Sequence, residues 1–104
     1  MENILNPLKK AIKILQADIA CGNNVMDFDD TPYTLVTALV KELKGNEEYE
    51  QVYDLLFEAE GVYYVFHADL GNFHYEMDFD EEREKFKDCL NLLKEAYECA
   101  STVK

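Results

Sequence analysis

Two prolines and four glycines punctuate this chain of 104 residues, and each lies where an apolar pattern begins or stops. Proline suits the first turn of a helix and glycine the position just past its end, so these six residues divide the sequence into elements. Asn6-Pro7 opens the first element, in which Leu8, Ala11, Ile12, Leu15 and Ile19 recur at helical spacing up to Gly22. The spacing predicts a helix over about 7–21. Thr31-Pro32 repeats the signal, and the stripe Leu35, Val36, Leu39, Val40, Leu43 ends at Gly45, which predicts a second helix over about 32–44. Asn46 can cap a third helix, with Tyr49, Val52, Tyr53, Leu56 and Phe57 facing inward and Gly61 closing it.

Two stretches carry the alternation of strands. Val25-Met26-Asp27-Phe28 predicts a brief strand. Residues 62–67 (Val-Tyr-Tyr-Val-Phe-His) and 73–79 (Phe-His-Tyr-Glu-Met-Asp-Phe) flank a turn at Leu70-Gly71 and predict a hairpin. Pairing Ala68 with Phe73 sets Phe66 against Tyr75, Tyr64 against Met77 and Val62 against Phe79, with Tyr63, Val65, His67, His74, Glu76 and Asp78 on the other face. Asp80 caps a last helix, whose buried stripe is Phe86, Cys89, Leu90, Leu93, Ala96, Tyr97 and Ala100. The tetrapeptide Met-Asp-Phe-Asp occurs at 26–29 and again at 77–80, each time as strand residues leading into a helix.

The expected architecture is one α+β domain, ordered helix, short strand, helix, helix, hairpin, helix. That order, with the short Lys44-Gly45-Asn46 turn, resembles the winged-helix variant of the helix-turn-helix family. The resemblance implies that the third helix and the hairpin loop occupy the positions that read DNA.

Charge argues against DNA as the ligand. The formal net charge is −12, and twelve of the 22 acids but none of the ten Lys and Arg lie between positions 45 and 82. The rest of the chain, with ten acids and ten bases, is neutral. Phosphates would be repelled from such a surface, where a DNA-binding protein gains from releasing counterions. Glu50, Asp54 and Glu58 follow an i, i+4, i+8 spacing, a ridge with a charge about every 6 Å that Glu47 prolongs. Like charges at i, i+4 cost roughly 0.2–0.5 kcal/mol per pair. The ridge is interleaved with Tyr49, Tyr53 and Tyr63, side chains suited to anchoring a protein interface.

These features predict a small acidic inhibitor that occupies the basic, nucleic-acid-binding surface of a partner such as a nuclease. Its binding face comprises Glu47, Tyr49, Glu50, Tyr53, Asp54, Glu58, Tyr63, Asp69, Glu76 and Asp78. In size and charge the chain resembles DNA-mimic proteins of phages, anti-CRISPR proteins and the immunity proteins of nuclease toxins. A second expectation is a winged-helix module that scaffolds a complex or dimerises through its last helix, without binding DNA. The chain is then a monomer or a homodimer.

Chemistry is sparsely signalled. His67 and His74 form a cross-strand pair in the expected hairpin, with Asp69 and Glu76 near, a weak candidate set for Zn²⁺ or Ni²⁺ or for a pH-sensitive pair. Cys21, Cys89 and Cys99 lack CxxC spacing and an even count, which predicts free thiols in a reducing compartment. No phosphate-binding glycine loop or nucleophile motif occurs, so neither an enzyme nor a cofactor is expected. The N-terminus carries no signal-peptide pattern and no apolar run approaches the roughly 20 residues of a membrane span, which predicts a soluble cytoplasmic protein.

Overall fold

In each helix of the protein the buried residues follow a spacing of alternating four and three. They are Ile4, Leu8, Ala11 and Leu15 in α1 (Glu2–Ala20), and Pro32, Val36, Leu39 and Leu43, with Val40 beside them, in α2 (Thr31–Leu43). In α3 (Glu50–Leu70) they are Val52, Leu56, Ala59, Tyr63 and Phe66. In α4 (Phe79–Thr102) they are Glu82, Phe86, Cys89, Leu93, Ala96 and Ala100, with Leu90 adjacent. This is the seam of a bundle of nearly aligned helices, because a mean repeat of 3.5 residues keeps one narrow face toward the axis. The computed structural model describes residues 2–23, 25–70 and 79–103.

The four helices pack in a ring, each against its neighbours in the order α1, α2, α3, α4 and back to α1. Contacts between opposite ends show that neighbours run antiparallel. Asn3 Nδ2 donates to Glu42 Oε1 (3.1 Å) between α1 and α2, and the Tyr33 and Tyr63 rings lie 5.4 Å apart between α2 and α3. The rings of Phe66, near the end of α3, and Phe86, near the start of α4, lie 5.2 Å apart. Arg83 Nη2 at the start of α4 donates to the Asn23 carbonyl (3.0 Å) just past α1. The result is an up-down-up-down bundle of 46 × 27 × 17 Å.

The connection from α1 to α2 is built from local hydrogen bonds. Gly22, at φ +69°, closes α1 in a left-handed cap, with Asn23 N bonded to the Asp18 carbonyl and Gly22 N to the Ile19 carbonyl. The Asp18 carboxylate then accepts from Asn23 Nδ2 and Asp29 N, both at 3.0 Å. Asp29 Oδ1 in turn accepts from the backbone and hydroxyl of Thr31 at the start of α2, which holds the Asp29 carboxyl below its ordinary range.

The α+β expectation is overturned: four α-helices and two 3₁₀ turns account for nearly all the described residues, and no strand occurs among them. The short strand at 25–28 is instead a 3₁₀ turn at Val25–Asp27 whose Val25 is buried in the core. The first arm of the hairpin, 62–67, is the continuation of α3, and Gly61 lies inside that helix. The second arm lies outside the described residues except Phe79, which starts α4, so the expected hairpin register has no counterpart. With no wing strand at 62–67 the winged-helix arrangement falls as well. The last-helix stripe proposed for dimerisation is consumed within the bundle, where Phe86, Cys89, Leu93, Ala96 and Ala100 are fully buried. Helix α1 also begins earlier than expected, with Pro7 inside it, because Ile4 extends the seam by one more turn.

The energetics explain why a β-rich sequence became helix. Aromatic and β-branched residues in a helix cost tenths of a kcal/mol each, and an interior glycine about 1 kcal/mol. Burying Phe66 returns about 1.5–3 kcal/mol, and the Tyr63 ring adds buried apolar area that its unpaired hydroxyl partly offsets. Only the helix sends both to one side, since in a strand residues 63 and 66 would face opposite ways. They meet Phe86, whose ring centroid lies 5.1 Å from Tyr63, 5.2 Å from Phe66 and 5.3 Å from Phe28. Because Phe86 touches three rings at one end of the bundle, Phe86→Ala is expected to cost about 3–5 kcal/mol, measured as a lower urea midpoint with the helical circular-dichroism signal retained in buffer.

Candidate functional site

The acidic ridge survives the change of fold. Asn46 caps the entry to α3, its side chain accepting from Glu48 N (3.1 Å), and a 3₁₀ turn at Glu47–Tyr49 leads into the helix. Gly45 reverses the chain before it, at φ +80°. Glu47, Glu50, Asp54 and Glu58 are all exposed, with Tyr49 and Tyr53 half-buried beside them. An open cleft of about 400 Å³ between the end of α2 and the start of α3 is lined by Leu43, Gly45, Asn46, Glu47, Glu50, Tyr53 and Asp54. Four of the residues predicted for the binding face thus share one surface feature.

The helix dipole accounts for part of this charge. Acids in the first turn, here Glu47, Glu48 and Glu50, are favourable by roughly 0.3–1 kcal/mol each, an effect that fades within that turn. Asp54 and Glu58 lie beyond it. Helix α4 carries the ion pairs Asp80–Arg83 (3.9 Å), Glu82–Lys85 (3.2 Å) and Glu84–Lys87 (2.9 Å). Asp80 and Glu82 thus have bases of their own helix beside them, whereas none of these pairs involves Glu50, Asp54 or Glu58. Among the described residues, Glu50, Asp54 and Glu58 share the outer face of α3.

Some predicted members do not belong to it. Tyr63 is 3% exposed and packs in the core, so it cannot anchor a partner. Asp69 and His67 lie in the last turn of α3, and their side chains lie outside the described residues. Glu76, Asp78 and His74 lie outside them altogether, and with them the proposed histidine pair. Among the described residues no group of three or more His, Cys, Asp or Glu could hold a metal ion. No helix of the described residues is long and apolar enough to cross a membrane.

Other members were missed. Phe57 was expected to face inward but is 57% exposed, stacked on Tyr53 at 5.9 Å between ring centroids. Tyr64 and Val65 are 69% and 46% exposed. With Gly61 between them these residues form a stripe at 53, 57, 61, 64 and 65 alongside the ridge at 50, 54 and 58. The seam 52, 56, 59, 63, 66 was the signal: once it sets the inner face, Phe57 lies about 100° beyond Leu56 and points away from the bundle.

The buried thiol is packing, not chemistry. Cys89 donates to the Ala59 carbonyl, and burial pushes its ionisation up to about 12 despite the hydroxyl of Tyr63 beside it. That hydroxyl, buried and without a hydrogen bond of good geometry, is itself held far above its ordinary range by desolvation. A thiol so protonated is a poor nucleophile. Comparison with family models, with curated proteins and with solved structures found no match to this chain.

Two measurements check the Cys89 environment. A thiol reagent at neutral pH is expected to modify exposed Cys21 in the native protein and Cys89 only after unfolding. Folding keeps the Cys89 proton that the unfolded chain releases near pH 9, so the contribution is complete below that value and is lost as pH rises from 9 toward 12. Thermal scans are expected to show a falling midpoint across that window, less steep in Cys89→Ala.

Proposed function

We propose that this protein is a non-enzymatic inhibitor that occupies the basic, nucleic-acid-binding surface of another protein through the outer face of α3. The observation that carries this reading is the exposed ridge Glu50, Asp54, Glu58, which no base of the described ion pairs neutralises, beside the aromatic pair Tyr53 and Phe57. Carboxylates on successive turns repeat about every 6 Å, a regular row of negative charge that a groove lined with Lys and Arg can meet. The aromatic rings add area that excludes water, which a purely ionic contact lacks. The exposed carboxylates act through charge: an acid–base catalyst needs an enclosed group, and these stand in solvent.

Steering by such a face is long-ranged and screened by salt, so association slows steeply as ionic strength rises. Affinity capture from a host lysate tests the reading, with the wild-type chain and the variant Glu50→Lys/Asp54→Lys/Glu58→Lys as baits. Nucleic-acid-binding proteins are expected on the wild-type bait alone, to be eluted early in a salt gradient, and to lose their nucleic-acid binding when the wild-type chain is added. A captured set unchanged by the triple substitution overturns the proposal, provided circular dichroism shows both baits equally helical.

A further inference from the structure

Gly61 is out of place in its own fold. It sits inside α3 without a positive φ, and a Cβ built on it meets nothing within 4 Å. No turn and no close neighbour in the bundle therefore requires a glycine, although an interior glycine weakens a helix. Its position is the centre of the exposed stripe, four residues after Phe57, three before Tyr64 and four before Val65. A missing side chain between large exposed ones leaves a notch, and small residues at helix crossings let two backbones approach closely. The stripe extends from Tyr53 to Val65, about 18 Å of helix.

The surrounding charge selects the occupant. Glu50, Asp54 and Glu58 border the stripe, and a second copy of this chain would bring its own ridge and its net −12 against them. A positively charged helix meets attraction in the same place. Resting on the reading above, we propose that the outer face of α3 is a helix-docking surface whose occupant is a basic amphipathic α-helix of the partner. That helix crosses at Gly61, with its apolar side on Phe57, Tyr64 and Val65 and its Lys and Arg toward Glu50, Asp54 and Glu58.

Two synthetic peptides of equal charge test this by calorimetric titration at low salt. One is a helix of about 20 residues with a leucine seam flanked by Arg and Lys, and the other has every leucine replaced by glutamine. Wild-type protein is expected to bind the leucine peptide at least about tenfold more tightly than the glutamine peptide. Gly61→Gln, whose Cβ meets nothing within 4 Å, and separately Phe57→Ser/Tyr64→Ser, are expected to remove that advantage and leave the glutamine peptide unaffected. Equal binding of the two peptides, failure of both to bind, or an unchanged advantage in Gly61→Gln overturns the docking proposal. The charge-reversed triple variant separates the two levels. If it loses both peptides while Gly61→Gln changes nothing, the ridge reading stands and helix docking fails. If it retains both, the reading itself fails. A wild-type dimer in light scattering that Gly61→Gln dissociates gives the face to a second copy and overturns the basic occupant.

Discussion

The last ten residues of α3 stay helical because Tyr63 and Phe66 have Phe86 to pack against. Phe28 and Tyr33 complete the cluster from the α1–α2 connection and the first turn of α2, so that connection, α2, α3 and α4 share one set of rings at this end. Arg83, on α4 one turn before Phe86, fastens the same connection through the Asn23 carbonyl. The seam of α4 ends in Glu82, whose buried carboxylate is held by Lys85. Were the aromatic cluster absent, helix propensity alone would favour ending α3 near Gly61. Tyr64 and Val65 would then not continue the line of Tyr53 and Phe57. The outer surface of α3 is therefore a consequence of what its inner face buries.

Position resolves the net charge of −12 in a way that the total does not. In helix α4 three acids, Asp80, Glu82 and Glu84, pair with bases at i+3, and α1 carries Lys9, Lys10 and Lys13 against Asp18 and Glu2. In the ring of helices α1 stands opposite α3, so the basic residues and the unmatched acidic ridge face away from each other. A smaller groove of about 280 Å³ between α1 and α4 is lined by Lys9, Ile12, Lys94, Tyr97 and Glu98, which keeps that side mixed in charge. Such asymmetry orients the molecule in the field of a charged partner before any contact forms.

The helices were legible where apolar period and punctuation agreed. The bounds 32–44 read from Pro32 and Gly45 lie within a residue of the observed ends of α2, and the α4 stripe from Phe86 to Ala100 is the buried face of that helix. The failure lies at 61–67, where local preference and long-range packing pull apart. Val62, Tyr63, Val65 and Phe66 read as strand, and Gly61 reads as a stop, because each judgement weighs neighbours in sequence. Their helical state depends on Phe86, twenty residues further on. One local trace of it was present: the interval of four and three that runs through Val52, Leu56, Ala59, Tyr63 and Phe66 without a break at Gly61. The ridge was legible because an i, i+4 spacing depends only on the segment being helical, and 47–58 is. Its aromatic companion was hidden because assigning Phe57 to the outside required the whole seam.

The same magnitudes bear on what shaped the outer face. Adjacent like charges on the ridge cost a few tenths of a kcal/mol per pair, and Gly61 about 1 kcal/mol against alanine. Each large side chain in the seam contributes about 1.5–3 kcal/mol. Five seam residues of α3 therefore outweigh several unfavourable choices on the opposite side, and folding places little constraint on what stands there. A surface released from the demands of folding can carry a lysine at 54 or an alanine at 61 with a gain in stability. It carries an acid and a glycine, and both choices suit a close, positively charged neighbour better than they suit the isolated helix.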